Sequence, residues 1–178
     1  RARMTRYETI PRTAIKIDLP NTCQREDHTC GPAALMAICA YFGVGPDDEA
    51  RCATDMRIDR DGSDPEHLVR AAKKYGLSHR EYRGMTLDQL ADCLDQRRPV
   101  MLTLQAWGEG HWVVAIGYDH RRIYFEDPYL DRGRGFIDRS ELVRRWHDVE
   151  GPKSTELRSY GLALWKPRPR FAARCIPE

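Results

Sequence analysis

Residues 23–43 read CQREDHTCGPAALMAICAYFG, and this stretch decides the fold. A polar loop from Cys23 to Pro32 runs into the apolar segment Ala33 to Phe42. Alanine, leucine and methionine are strong helix formers, so the segment predicts a helix over 33–42. Thr29 suits its N-cap, Pro32 its first turn and Gly43 its end. The apolar residues cover nearly the whole circumference. Such a helix is buried on all sides, which places it at the centre of the fold.

The pattern around that helix separates into two halves. Residues 1–22 read as extended, with Ile15 and Ile17 alternating with Lys16 and Asp18 before Pro20-Asn21 ends the run. Helices are expected at Asp47–Thr54, at Asp64–Tyr75 ending on Gly76, and at Thr86–Gln96, where Leu87, Leu90 and Leu94 share a face. After Pro99 the period changes to two. Strands are expected at Val100–Gln105, Trp112–Tyr118, Ile123–Glu126, Gly135–Ile137 and Tyr160–Trp165, with a short helix at Ser140–Trp146. Helices first and antiparallel strands second make an α+β fold, with a cleft where the two halves meet.

Composition excludes several classes of function. A chain of 178 residues fits one domain, 1–178, large enough to bury about 70% of its unfolded surface without disulfide staples. No stretch approaches the ~20 apolar residues of a membrane span. No signal-peptide core follows the N-terminus. Arg1, Arg3, Arg6, Arg12 and Lys16 against Glu8 give one end a surplus of four positive charges. Lys166, Arg168, Arg170 and Arg174 against Glu178 give the other a surplus of three. With the whole chain at only +2, the body between these basic extensions stands at −5. An acidic body argues against nucleic acid as a partner. Of the six cysteines, Cys39, Cys52 and Cys93 fall in helical patterns and read as core, and Cys175 lies in the tail. Free thiols of this kind fit a reducing, cytoplasmic setting.

Cys30 differs from the other cysteines. It stands among polar residues at the mouth of a buried helix, where partial positive charge suits a thiolate. Gly31 beside it permits close approach. A nucleophilic cysteine needs a base. Five of the six histidines lie in charged surroundings, but His111 follows Gly108-Glu109-Gly110 and opens a strand that gives it a rigid mount. The base in turn needs an orienting carboxylate. A three-residue turn after Tyr118 would pair Val113 with Asp127 and put Asp127 on the face of His111. A one-residue change of register would put Glu126 there instead, so both remain open on geometry. Gln24, six residues before Cys30, can aim its amide beside the sulfur and join the Cys30 backbone N–H as an oxyanion donor. Trp107 and Trp112 flank His111, either lining a substrate groove or packing. Asp59–Asp64 has a calcium-loop flavour without the full pattern, and Cys23, His28 and Cys30 lack zinc-site spacing. No metal or cofactor is expected.

Taken in order, these residues resemble the bacteriocin-processing cysteine peptidases. The resemblance rests on Gln24-x5-Cys30-Gly31-Pro32-Ala33-Ala34-Leu35 with Tyr41-Phe42-Gly43. It continues through Gly62-Ser63 to Leu68, Ala71-Ala72 and Gly76-Leu77, then Gly110-His111-Trp112-Val113-Val114, Glu126-Asp127-Pro128, and Phe136 to Trp146. It spans roughly residues 20–165. Family members commonly carry Asp immediately before the cysteine, where this chain has Thr29. The resemblance implies a papain-like fold, with Cys30 as nucleophile, His111 as general base and then acid, Asp127 rather than Glu126 as orienter, and Gln24 as oxyanion donor. It also implies a peptide or protein substrate, cut after a double glycine, and association with an ABC exporter. An acyltransferase or amidase using the same thioester, and a catalytically silent peptide-binding domain, are the alternatives.

Overall fold

The structure is a computed structural model that describes residues 10–106, 108–130, 133–150 and 155–167. Trp107, Cys175 and most of both basic extensions lie outside the described residues. Helix α1 (Cys30–Phe42) is buried at every position except Tyr41. It begins three residues earlier than the apolar run, because Cys30, Gly31 and Pro32 form its first turn. Thr29 holds the N-cap position, but its hydroxyl bonds Glu26 instead, accepting from Glu26 N and donating to Glu26 O. Gly43 ends the helix in the left-handed region at φ 68°, and Val44 N reaches back to Cys39 O at 2.9 Å.

Three helices follow the expected pattern within two residues at each end. They are α2 (Glu49–Met56), α3 (Pro65–Lys74) and, later in the chain, α4 (Leu87–Asp95). Thr86 caps α4 with a capping box, its hydroxyl accepting from Gln89 N while Gln89 Oε1 accepts from Thr86 N. Between α3 and α4 lies β1 (Ser78–Tyr82), which the sequence pattern does not show. Its residues SHREY carry no apolar alternation, because it is an edge strand with both ends partly exposed.

The remaining strands are β2 (Val100–Ala106), β3 (Glu109–Tyr118), β4 (Arg122–Glu126), β5 (Arg134–Asp138), β6 (His147–Glu150), β7 (Thr155–Arg158) and β8 (Gly161–Trp165), with α5 (Arg139–Arg145) before β6. Six of the strands form one antiparallel sheet in the order β1-β8-β2-β3-β4-β5. The polar pair β6-β7 forms a separate two-stranded sheet, again without an apolar alternation to announce it. β3 is the longest strand and is buried from His111 to Gly117, so both of its faces are covered. Helix α1 packs against it.

The β3–β4 register differs from expectation in two places that cancel. Tyr118 pairs with Ile123, so the turn holds four residues, closed by Asp119 Oδ1 accepting from Arg121 N and Arg122 N at 2.8 Å each. A β-bulge at Ile116 then takes up one residue, and Val114 pairs with Glu126. Continuing that register puts Val113 opposite Asp127, as the shorter turn would have done. Glu126 therefore shares a face with Val114, away from His111.

Glu126 is almost completely buried, at 1% exposure. Burial pushes its carboxyl up to about 9, against the pull of the Arg134 guanidinium 3.7 Å away and with the charge of Asp127 adding to the rise. The folded protein thus holds a proton that the unfolded chain releases near the ordinary glutamate value. The stability this contributes is full below that value and is lost as pH rises through about 9. Glu126→Gln, which stays neutral, should flatten the fall in urea midpoint between pH 5 and 9. An equal fall in both proteins would mean that Glu126 is ionised in the fold. In α1, Leu35→Ala should cost about 2–5 kcal/mol in urea unfolding, since Leu35 is fully buried at the helix centre.

Candidate active site

Cys30 is the first residue of α1, and its position is set by the loop that precedes it. That loop is tied down at several points. Arg25 N donates to both oxygens of the buried Glu49, at 3.3 and 3.2 Å. Gln24 N donates to Pro128 O at 2.8 Å, which fastens the loop to the turn after β4. Thr22 Oγ1 donates to Ala33 O at 2.8 Å. Neither Glu49 nor the Pro128 carbonyl is marked by any sequence pattern; both act through the backbone of the loop.

His111 and Asp127 meet as the register requires. His111 Nε2 lies 2.7 Å from Asp127 Oδ1, with exposures of 6% and 0%. Tyr129 N donates to the same oxygen at 3.0 Å, so the carboxylate is held from two sides. Because a carboxylate accepts, Nε2 carries a proton and Nδ1 is the ring nitrogen left for the sulfur. The Cys30 side chain acts on the same imidazole and favours its charged form. Burial opposes charge on His111 and is the largest single influence. The hydrogen bonds and charges of Asp127 and Cys30 together outweigh it and raise the ring to about 10. Tyr129 stands edge-on to the imidazole, with ring centroids 6.4 Å apart.

Three expected residues thus come together: Cys30, His111 and Asp127. Gln24 behaves differently. Its amide nitrogen turns onto its own loop, donating to Glu26 O at 2.9 Å and Asp27 O at 3.3 Å rather than standing free beside the sulfur. Trp112 is buried. Its indole N–H donates to Ser63 O at 2.9 Å, and its ring packs edge-on against Tyr160. Trp107 lies outside the described residues. The close approach at Gly31 comes from a side chain, since a Cβ there would collide with Ser63. That contact across 32 residues leaves no trace in local sequence.

The other cysteines show the contrast. Cys39 and Cys52 are fully buried, and burial raises both thiols, Cys52 to about 12. Cys93 is buried against the Tyr82 hydroxyl. Cys23 is exposed. Among the described residues, Asp64, Glu66 and His67 bring three potential metal-ligand atoms together, but His67 Nδ1 already accepts from Asp64 N.

Solved structures share this fold. A double glycine motif protease from an AMS/PCAT transporter, crystallised with its leader peptide, aligns with a TM-score of 0.60 at 22% identity, over 83% of this chain and 91% of that one. The peptidase domain of Streptococcus ComA, a bifunctional ABC transporter of a quorum-sensing pathway, aligns at 0.66 and 17% identity, over 84% and 99%. The N-terminal peptidase C39 like domain of a Vibrio parahaemolyticus toxin secretion ATP-binding protein aligns at 0.58 and 16%, over 80% and 99%. At these identities the likeness carries the fold, which is the α+β, papain-like architecture expected. None of the curated proteins compared matches the chain. The Peptidase_C39 like family matches residues 16–153, from the segment before the Cys30 loop to beyond β6. That span holds both the helix that starts on Cys30 and the strands that present His111 and Asp127, and the chain belongs to this family.

Proposed function

We propose that this chain is a cysteine peptidase that hydrolyses a peptide bond through Cys30, His111 and Asp127. The observation that carries the reading is the buried imidazole of His111, bonded at 2.7 Å to Asp127 through Nε2 and within reach of the electrostatic influence of Cys30. With its ring raised to about 10, His111 already holds on Nδ1 the proton given up by Cys30, and the sulfur attacks the substrate carbonyl carbon. The oxyanion forms near the first turn of α1, whose backbone N–H groups have no partner within the helix. Gln24 adds a second donor once its 3.3 Å bond to Asp27 O opens. The imidazolium returns its proton to the leaving amine, giving a thioester on Cys30. Water, deprotonated by His111, then releases the acid and restores the thiol. Asp127 keeps the ring in one tautomer throughout and stabilises its charge.

The substrate is a peptide or protein chain. Kinship with peptidases of exporters makes a double-glycine leader the first substrate to test and an ABC exporter the first partner. Among the described residues no helix is long and apolar enough to cross a membrane. The reduced thiols of Cys30, Cys39, Cys52 and Cys93 support a reducing, cytoplasmic setting.

Cys30→Ala should abolish cleavage, and His111→Ala should lower kcat/KM by roughly 10²–10⁴-fold, with circular dichroism unchanged in both. Iodoacetamide at neutral pH should label Cys30 ahead of Cys23, although of the two Cys23 is the exposed one. Faster labelling of Cys23 would count against an activated Cys30.

A further inference from the structure

Tyr129, two residues beyond Asp127, carries an aromatic ring that is 57% exposed. A single exposed apolar side chain is ordinary on a protein surface. Two features set this one apart. The first is its place. The ring stands edge-on to the imidazole of His111, with centroids 6.4 Å apart, while that imidazole is itself buried. Val143 and Val149, exposed to a similar degree, lie on α5 and β6 instead.

The second feature is its mounting. Tyr129 N donates to Asp127 Oδ1 at 3.0 Å. Leu130 N donates to Asp127 O at 3.1 Å, Gly133 N donates to Leu130 O at 2.9 Å, and Asp127 N donates to Gly133 O, so the segment closes on itself. Pro128 O accepts from Gln24 N, which ties the segment to the Cys30 loop. A tyrosine has only two side-chain torsions to fix, so a ring on such a turn offers contact area at a low entropic cost.

The reaction decides which half of a substrate passes this ring. The carbonyl carbon bonds to Cys30 Sγ. The nitrogen of the broken bond takes its proton from His111 Nδ1 and comes within about 3 Å of it. The residue that carries this nitrogen therefore lies along the imidazole, and its side chain branches from the next atom. The cavity beside Cys30 is of another kind. Gly62, Ser63, Gly110, Trp112 and Asp148 line it, and a Cβ on Gly110 would collide with the Asp148 carboxylate. Tyr129 is not among its lining residues.

We propose that Tyr129 is a specificity residue whose ring forms an apolar wall for the side chain of the first residue after the cleaved bond. The inference rests on the peptidase reading above and deepens it, on the side of the bond that a double glycine leaves unspecified. A large apolar side chain at that position removes both itself and the ring from water, and alanine or glycine covers little of either.

The test uses glycylglycine vinyl sulfones. Cys30 Sγ adds to the vinyl carbon that replaces the scissile carbonyl, the carbon next to the sulfonyl group takes up a proton, and the sulfone stands where the departing amine would. The sulfone carries a methyl, an isobutyl or a phenyl group. Each rate of Cys30 alkylation, read by mass spectrometry, is divided by the rate of that reagent with glutathione. The isobutyl and phenyl reagents should then react roughly fivefold faster than the methyl one. Tyr129→Ala should bring this ratio close to one. Tyr129→Phe should keep it, and so should Val143→Ala on α5. The ratio is taken within each protein, so a general loss of reactivity cancels. Equal rates in the wild type, a ratio unchanged in Tyr129→Ala, or a ratio lost in Tyr129→Phe would overturn the proposal and leave the nucleophile standing. No alkylation at Cys30, or faster alkylation at Cys23, would instead overturn the peptidase reading, and this proposal with it.

Discussion

The hydrogen bond from His111 Nε2 to Asp127 Oδ1 is the constraint on which the arrangement of this molecule turns. Both groups are nearly removed from water, where an ionisable group without a partner is costly. Satisfying them therefore dictates much of the surrounding structure. The strands must align so that Asp127 falls on the face of His111. The chain must turn at once after Asp127, so that Tyr129 N can reach the same oxygen. Glu126, forced onto the other face, is buried with Arg134 as its nearby cation.

The cysteine is delivered to this pair from the other half of the chain. Helix α1 is apolar around most of its circumference, so its burial against β3 is driven by area and carries no information about its position along its own axis. That position comes from polar contacts. Glu49 clamps the loop backbone at Arg25, and Pro128 O accepts from Gln24 N. The second contact links the cysteine loop to the same turn that orients Asp127. Cys30 and Asp127 thus share one piece of scaffold, although 97 residues separate them in sequence. Thr29 serves the loop rather than the helix, which accounts for a cap residue whose hydroxyl makes no cap bond.

Much of this was legible in sequence where a physical periodicity existed to be read. Helix α1, the capping box of α4, and the apolar cores of β2, β3, β4 and β8 follow from helix formers, caps and period-two runs. Cys30 and His111 stood out by their unusual settings, one polar and at the mouth of a helix, the other glycine-flanked. Strands β1, β6 and β7 were invisible because they are polar, and a polar strand is defined by its neighbour rather than by itself. Gln24 was placed in the correct loop, but the direction of an amide depends on which carbonyls that loop happens to turn inward. Ser63 stood in the sequence only as part of the family pattern, and Asp148 stood in no pattern. Each matters through a partner far along the chain, Gly31 in one case and Gly110 in the other.

The bulge at Ile116 has a consequence for how this hairpin can change. Turn and bulge behave like an insertion and its compensating shift in a reading frame. The four-residue turn alone would display Glu126 on the face of His111, and the bulge restores the phase before the site is reached. A relative that shortens the turn by one residue must therefore lose the bulge as well, or it will present the wrong carboxylate. Loop length here is not the neutral variable it is on most protein surfaces. It is coupled, through one extra residue in β3, to which acid faces the imidazole.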